Sequence, residues 1–309
     1  MIDTTARIHL PRPIAFAFSG GTSLGATQVG MVRALHAHGI VPDLVVGSSV
    51  GAVNAAFLAG GWRAERIAAL ASIWSHLRAE DVFGPSGLPR YLRVLRGGAS
   101  VAAPASLRRL LERHLPERHA DLAIPAAVVA TDLLSGAPVI LDAGDLRQNV
   151  MASAAIPGVF PSVEIGGRRL ADGGIAAHVP VVQAAELGAA SVVVLDTGYP
   201  CTASELPHGI IPNVVHVVNL VLRHQSQVAL SIVGERSPVV YLPSPCPMGV
   251  APYDFTQSAA LVEKGHEATS RFLETLRVHG PGVYGHPHLP DAGEATEAAP
   301  REAIVAPAA

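Results

Sequence analysis

The sequence predicts an α/β protein built on a mainly parallel sheet with helices on both faces. Three observations carry this. Short apolar runs recur at 14–18, 44–46, 126–130 and 191–195. Longer helix-like segments alternate with them, as in strand–helix–strand units. Glycine-rich turns mark the joins, at 19–25 and 47–51 above all.

Composition narrows the class. The 309 residues can bury a large core, as one big domain or two ordinary ones. About half are apolar (49%) and only 15% are charged, which describes a globular chain. The formal net charge is −3 with no long basic run, so nucleic acid is not an expected partner. Cys201 and Cys246 have neither metal-ligand spacing nor a disulfide framework, so a reducing, cytoplasmic setting is expected. The first thirteen residues lack the apolar core of a signal peptide. No run reaches about 18 uninterrupted apolar residues, so no spanning helix is expected. The positive mean hydropathy, +0.35, is assigned to buried strands.

In chain order, 14–18 is a first strand, 19–25 a turn, and a helix follows to about His38, with Gly39 as its stop. A second strand at 44–46 leads into a helix ending at Gly60-Gly61. Residues 63–115 read as helices broken at 84–87 and 96–98, with 78–104 a candidate lid. Strands follow at 126–130 and 138–141, and a tight hairpin at 163–168 turns on Gly166-Gly167. After the strand at 191–195, helices at 214–233 and 256–277 close the fold around a strand at 239–242. Beyond Gly280 the chain is rich in Pro, Ala, Gly and Glu and is expected to be a disordered tail. The expected organisation is therefore an extension at 1–12, a catalytic domain at 13–279 and a tail at 280–309.

Three turns carry candidate chemistry. In GSSVG, Gly47 and Gly51 flank Ser49 between a strand and a helix. That succession suits a nucleophile elbow, with the helix N-terminus favouring negative charge beside the hydroxyl. Ser48 is the rival serine, off the central position. In SGGTSLGATQVG, Gly20, Gly21 and Thr22 form a turn whose backbone N–H groups can hold an oxyanion or a phosphate. The turn has no P-loop lysine, and no acidic residue closes a second strand about 20 residues on, so a nucleotide site is disfavoured. In RRLADGGIAAHVP, Asp172 precedes Gly173 and Gly174 and is the leading candidate base.

Taken together, SGGTSLGATQVG (19–30), GSSVG (47–51), ASAAIPGVFP (152–161) and DGG (172–174) resemble the patatin-like phospholipases, in order and spacing. The resemblance covers roughly residues 14–275. It implies a three-layer α/β/α sandwich and hydrolysis of acyl esters in lipids. It assigns Ser49 as nucleophile, Asp172 as its partner in a Ser–Asp dyad, and the backbone around Gly20 and Gly21 as oxyanion hole. The chain departs from the family at three places. Thr22 stands where a third glycine is common, Leu24 where Arg or Lys is frequent, and His178 near a usual asparagine.

The expected chemistry needs no metal and no cofactor. Ser49 attacks an ester carbonyl, Asp172 takes the proton, and water hydrolyses the acyl-serine. The expected partner is a lipid or ester substrate, with transient contact at a membrane surface. A histidine-based triad is the competing arrangement, with His178, His208, His216, His224 and His266 as candidates. In the apolar run 214–221, His216 is expected to be a core residue. Two other functions share the fold: an acyltransferase using the same acyl-serine, and a catalytically silent lipid-binding protein.

Overall fold

The computed structural model describes residues 8–85, 102–198, 208–245, 250–251 and 253–285. Nine strands form one sheet: β1 Ile14–Phe18, β2 Leu44–Ser48, β3 Ala126–Asp132, β4 Pro138–Leu141, β5 Val163–Ile165, β6 Arg168–Asp172, β7 Ser191–Leu195, β8 Pro238–Tyr241 and β9 Gly282–Tyr284. Their order is β5-β6-β3-β2-β1-β7-β8-β9, with β4 also paired to β3. From β3 to β9 along this order the neighbours are parallel, whereas β4, β5 and β6 join by antiparallel ladders.

Ten helices are named here: α1 Ala26–Ala37, α2 Val50–Ala59, α3 Ala64–His76, α4 Ala79–Phe83, α5 Pro104–His114, α6 Leu146–Ser153, α7 Gly174–Ala177, α8 Val181–Glu186, α9 Ile210–Gly234 and α10 Ser258–Thr275. Strand side chains alternate between two faces. Phe16, Phe18, Val45, Val128 and Val193 pack with α1, α2, α3 and α10. Their neighbours Ala15, Ala17, Val46, Val129, Val192 and Val194 pack with α7, α8 and α9. Both faces are covered, which is why the parallel strands are apolar throughout. The α/β/α sandwich with a mixed, mainly parallel sheet is the expected architecture.

One feature of the sheet positions the site. β2 pairs with β3 at Val45↔Ala126 through Ser48↔Val129. β6 pairs with β3 at Ala130↔Asp172 through Asp132↔Leu170. β4 occupies the opposite edge of β3 from Val128 to Thr131. β2 and β6 therefore lie on the same edge of β3, pointing at each other. Ser48 and Asp172 face consecutive residues, Val129 and Ala130.

Three sequence expectations are corrected. The sheet continues past Gly280, because Val283 registers with Val239 and adds β9 to the edge. The Tyr284 hydroxyl also donates to the Gly280 carbonyl at 2.8 Å. The domain therefore reaches at least Gly285, and 286–309 lie outside the described residues. Second, residues 8–12 are not all an appendage: Leu10 joins the core, and Arg12 pairs with Asp43. Third, the run 214–221 is not core. Val214, Val217 and Val221 are exposed and His216 is only partly covered, because among the described residues no layer packs over this half of α9. Of the candidate lid, α4 and the start of α5 are described, while 86–101 lie outside the described residues. Among the described residues no helix is long and apolar enough to cross a membrane.

Candidate active site

The β2–α2 corner turns on Ser49, whose backbone sits at φ 55° and ψ −125°. Such a conformation costs a non-glycine residue on the order of 1–3 kcal/mol and persists where surrounding bonds impose it. Those bonds are present. The Ser49 N–H donates to Ser153 Oγ at 2.9 Å, and Ser153 Oγ donates to the Val129 carbonyl at 2.6 Å. Gly51 lets the corner close, since a Cβ there would lie 2.3 Å from the Phe18 carbonyl oxygen.

The turn after β6 brings the acid. Ser49 Oγ donates to Asp172 Oδ2 at 2.6 Å, and the other carboxyl oxygen accepts the Gly174 N–H at 2.8 Å. The backbone of Asp172 is held on both sides: its N–H donates to the Ala155 carbonyl at 3.0 Å, and its carbonyl accepts Thr131 Oγ1 at 2.8 Å. Gly173 donates to the Ser153 carbonyl at 3.1 Å. Asp172 is buried, and burial pushes its carboxyl up from 3.8 to about 6; the bonds from Ser49 and Gly174 pull the other way. Ser48 is also buried, but its Oγ has no hydrogen-bond partner among the described residues.

The glycine turn after β1 lies beside this pair. Gly20 is not a free donor, because its N–H is taken by the His178 carbonyl at 3.1 Å. That corrects the expectation for Gly20, whose role becomes anchoring. The next two residues, Gly21 and Thr22, have N–H groups with no hydrogen bond among the described residues. Gly21 has φ 146°, and a Cβ there would meet Thr197 Oγ1 at 2.2 Å. Thr22 adopts φ 52°, a left-handed conformation in which glycine is easier. Leu24 packs into the core beneath the turn. Gln28 fixes the turn from behind, donating to the carbonyls of Ser19 and Leu195 at 2.9 Å each. Asn54 on α2 in turn donates to Gln28 Oε1 at 2.8 Å, joining the two corners.

His178 lies next to Gly20, where an added Cβ would be 3.2 Å from its Nδ1 and 3.3 Å from the Cβ of Ser49. Its Nε2 is 3.9 Å from Asp196 Oδ1, and Tyr241 Oη donates to the other Asp196 oxygen. Burial pushes the imidazole below its usual range, opposed by the Asp196 carboxylate. His208 precedes α9, His216 and His224 lie on it, and His266 lies on α10. Among the described residues, the side-chain partner of Ser49 Oγ is Asp172 and no histidine. Ser153, Gln28, Asn54 and Asp196 were not singled out from sequence. Ser153 sits inside one of the quoted motifs, which was its only signal.

A narrow cavity of about 80 Å³ opens at Ser49 and Thr22. Its wall is apolar, with Val53, Phe57, Leu70, Trp74, Leu111 and Phe160 prominent. No group of three or more His, Cys, Asp or Glu among the described residues is placed to hold a metal ion.

The site is thus a buried serine–aspartate pair at the end of a parallel sheet, beside a backbone turn with open N–H groups and an apolar cavity. The sequence profile described as patatin-like phospholipase matches residues 16–185, more than half of the chain, and the chain belongs to that family. An uncharacterised NTE family protein of Mycobacterium tuberculosis is 32% identical over 180 residues, 57% of this chain and 46% of that protein. Patatin-like phospholipase domain-containing protein 7 of Rattus norvegicus is 30% identical over 196 residues, 62% of this chain and 14% of that one. The matched part thus spans less than half the length of these relatives. Among solved structures, VipD from Legionella pneumophila aligns over 86% of this chain and 67% of its own, with a TM-score of 0.46 and 16% identity.

Proposed function

We propose that this protein hydrolyses carboxylic esters of lipids through a Ser49–Asp172 dyad and an acyl-serine intermediate. The observation that carries the reading is the 2.6 Å bond from Ser49 Oγ to a buried carboxylate, made at the mouth of an apolar cavity. Asp172 in its ionised form accepts the Ser49 proton as Oγ bonds to the ester carbonyl carbon. The oxyanion that forms is met by the N–H groups of Gly21 and Thr22. Collapse breaks the ester bond, and the proton on Asp172 passes to the departing alcohol. Water then donates a proton to Asp172 as its oxygen attacks the acyl carbon; on collapse the Oγ–acyl bond breaks and that proton passes from Asp172 to Ser49 Oγ, which frees the fatty acid and restores Ser49 and the ionised Asp172. Each step is complete without a metal or cofactor. The cavity wall takes the acyl chain, which fits an amphiphile of the phospholipid or lysophospholipid kind met at a membrane surface.

A fluorophosphonate probe and a series of p-nitrophenyl esters test this. One label is expected, on Ser49, with turnover rising from acetyl to medium-chain esters and persisting in excess chelator. Labelling that survives Ser49→Ala, or loss of turnover in chelator restored by calcium, overturns the assignment.

A further inference from the structure

We infer that the outer face of α9 is a lipid-docking surface that lies flat on a bilayer. The inference rests on the acyl-hydrolase reading and names the surface that would bring that site to its substrate. Helix α9 is apolar on its core side and again about a third of a turn round from it. Leu230 and Val233 pack into the core. On that second face Val214, Val217, Val218 and Val221, then Val228 and Ile232, are each between 46% and 62% exposed, in a line interrupted by Gln225. Val215 and Leu220 off that line are as exposed, so the first half of the helix is apolar around most of its circumference. A water-facing stripe of six branched apolar residues along one helix is the kind of patch that marks an interaction site.

The placement points toward the reaction. At 25 residues α9 is about 37 Å long, while the five-residue β7 before it spans about 17 Å. Its C-terminal end leads into β8, which runs parallel to β7, so its N-terminal end lies on the side of the sheet where Ser49 sits. Gln225 Nε2 donates to the Ala176 carbonyl at 2.6 Å, which ties the middle of α9 to the turn that follows Asp172. From Ile210 to Gln225 no described side chain of the helix is buried. This half extends past the strand ends at the level of the dyad.

The charge pattern selects the occupant. From 208 to 234 there is no Asp or Glu, and the basic residues are Arg223 and three histidines, His208, His216 and His224. A protein partner chosen by charge would find little to read. An acid-free apolar helix meets no repulsion from anionic head groups and can bury its stripe at the boundary of the acyl region. The helix does not qualify as a spanning segment, which leaves it lying on the surface.

The test separates docking from catalysis. Ser49→Ala protein, which leaves vesicles intact, is floated with vesicles of phosphatidylcholine and phosphatidylglycerol, alone and with Val217→Asp and Val221→Asp added. Sedimentation without lipid gives the oligomeric state, and turnover of a soluble short-chain ester is measured for the double Asp variant carrying Ser49. The expected result is flotation of the Ser49→Ala protein and a fall of about tenfold or more in partitioning for the Asp variants. Soluble-ester turnover should be unchanged, which shows an intact fold. No flotation, undiminished flotation of the variant, or a dimer that the variant dissociates without any vesicle binding would overturn the docking surface. Absence of soluble-ester turnover in the unsubstituted protein would strike the hydrolase reading instead and leave the flotation result standing.

Discussion

Two strand-to-helix corners lie side by side in this protein and do opposite things. Both leave neighbouring parallel strands, β1 and β2, and both hold a non-glycine residue at positive φ, Thr22 at 52° and Ser49 at 55°. The β1 corner presents its backbone: the N–H groups of Gly21 and Thr22 are open and no side chain there reaches the carboxylate. The β2 corner presents a side chain: its backbone N–H is used up on Ser153, and the hydroxyl is aimed at Asp172. Two corners of positive φ thus leave open peptide N–H groups in one case and a hydroxyl aimed at a carboxylate in the other. What differs is whether a neighbour takes the peptide N–H: Ser153 does so for Ser49, and among the described residues none does for Gly21 or Thr22.

The comparison breaks most sharply at Ser49. Ser49→Ala is expected to lower turnover by on the order of 10⁴-fold or more and to abolish fluorophosphonate labelling. Ser48→Ala, on the buried strand residue next to it, should leave the label in place. Equal losses from the two changes would leave the side-chain corner without a defined nucleophile.

Asp172→Asn comes next, at roughly 10³–10⁴-fold, because an amide keeps the shape but cannot accept the proton. Two pH effects accompany it. The carboxyl is raised from 3.8 to about 6, so turnover should climb as pH rises through about 6 and then level off. The stability effect has the opposite sign. A raised carboxyl favours the folded state below about pH 4, and that contribution is lost as pH passes about 6, roughly 3 kcal/mol in all. Asp172→Asn is therefore expected to unfold at or above the temperature of the parent protein at pH 8. A lower melting temperature there would show that the ionised carboxylate is a stabilising group and that its burial has been misjudged. His178→Ala and His266→Ala should each keep most of the turnover; a dead histidine variant beside an active Asp172→Asn replaces the dyad by a triad.

A change at Ser153 sharpens the contrast between the corners. Ser153→Ala removes the acceptor of the Ser49 N–H without touching the dyad. Displacing the hydroxyl by a fraction of an ångström to one ångström can cost up to about 10²-fold, and the orphaned N–H costs about 1–3 kcal/mol of stability. Wild-type turnover with wild-type stability would mean that β2 holds Ser49 unaided. The smallest effect is expected at the backbone corner. Thr22→Gly relieves about 1–2 kcal/mol of left-handed strain and adds about 0.5–1 kcal/mol of chain entropy, so the melting temperature should hardly move. Turnover should stay within a few-fold, because the N–H donor remains. A large loss would mean that the threonine side chain itself contributes to the site.

Ser49 and Asp172 were legible in the sequence because each stands at a short strand's end, against glycines that have no better local explanation. The hairpin at Gly166-Gly167 was legible for the same reason; both residues take the positive φ that a primed turn demands. The donor role given to Gly20 was not, since only the folded chain shows the His178 carbonyl on its N–H. Nor could periodicity show that β6 abuts β2 on β3, which depends on sheet order. β9 was missed because three residues carry no pattern. The exposed face of α9 was misread as core because apolar spacing is the same whether a helix meets a sheet or water.

The head-on meeting of β2 and β6 has a consequence for how the protein fails when heated. Ser48, which leads directly into Ser49, and Asp172 are held opposite consecutive residues of one interior strand, Val129 and Ala130. The backbones that carry the pair therefore have no hinge of their own, and only opening the sheet moves them apart. Local fraying of the outer helices should leave it intact. Thermal inactivation on a soluble ester is expected to coincide with global unfolding, and the amides of Ser49 and Asp172 to exchange as slowly as those of β1 and β3. Inactivation well below the melting transition would locate the weak point in the glycine turn instead.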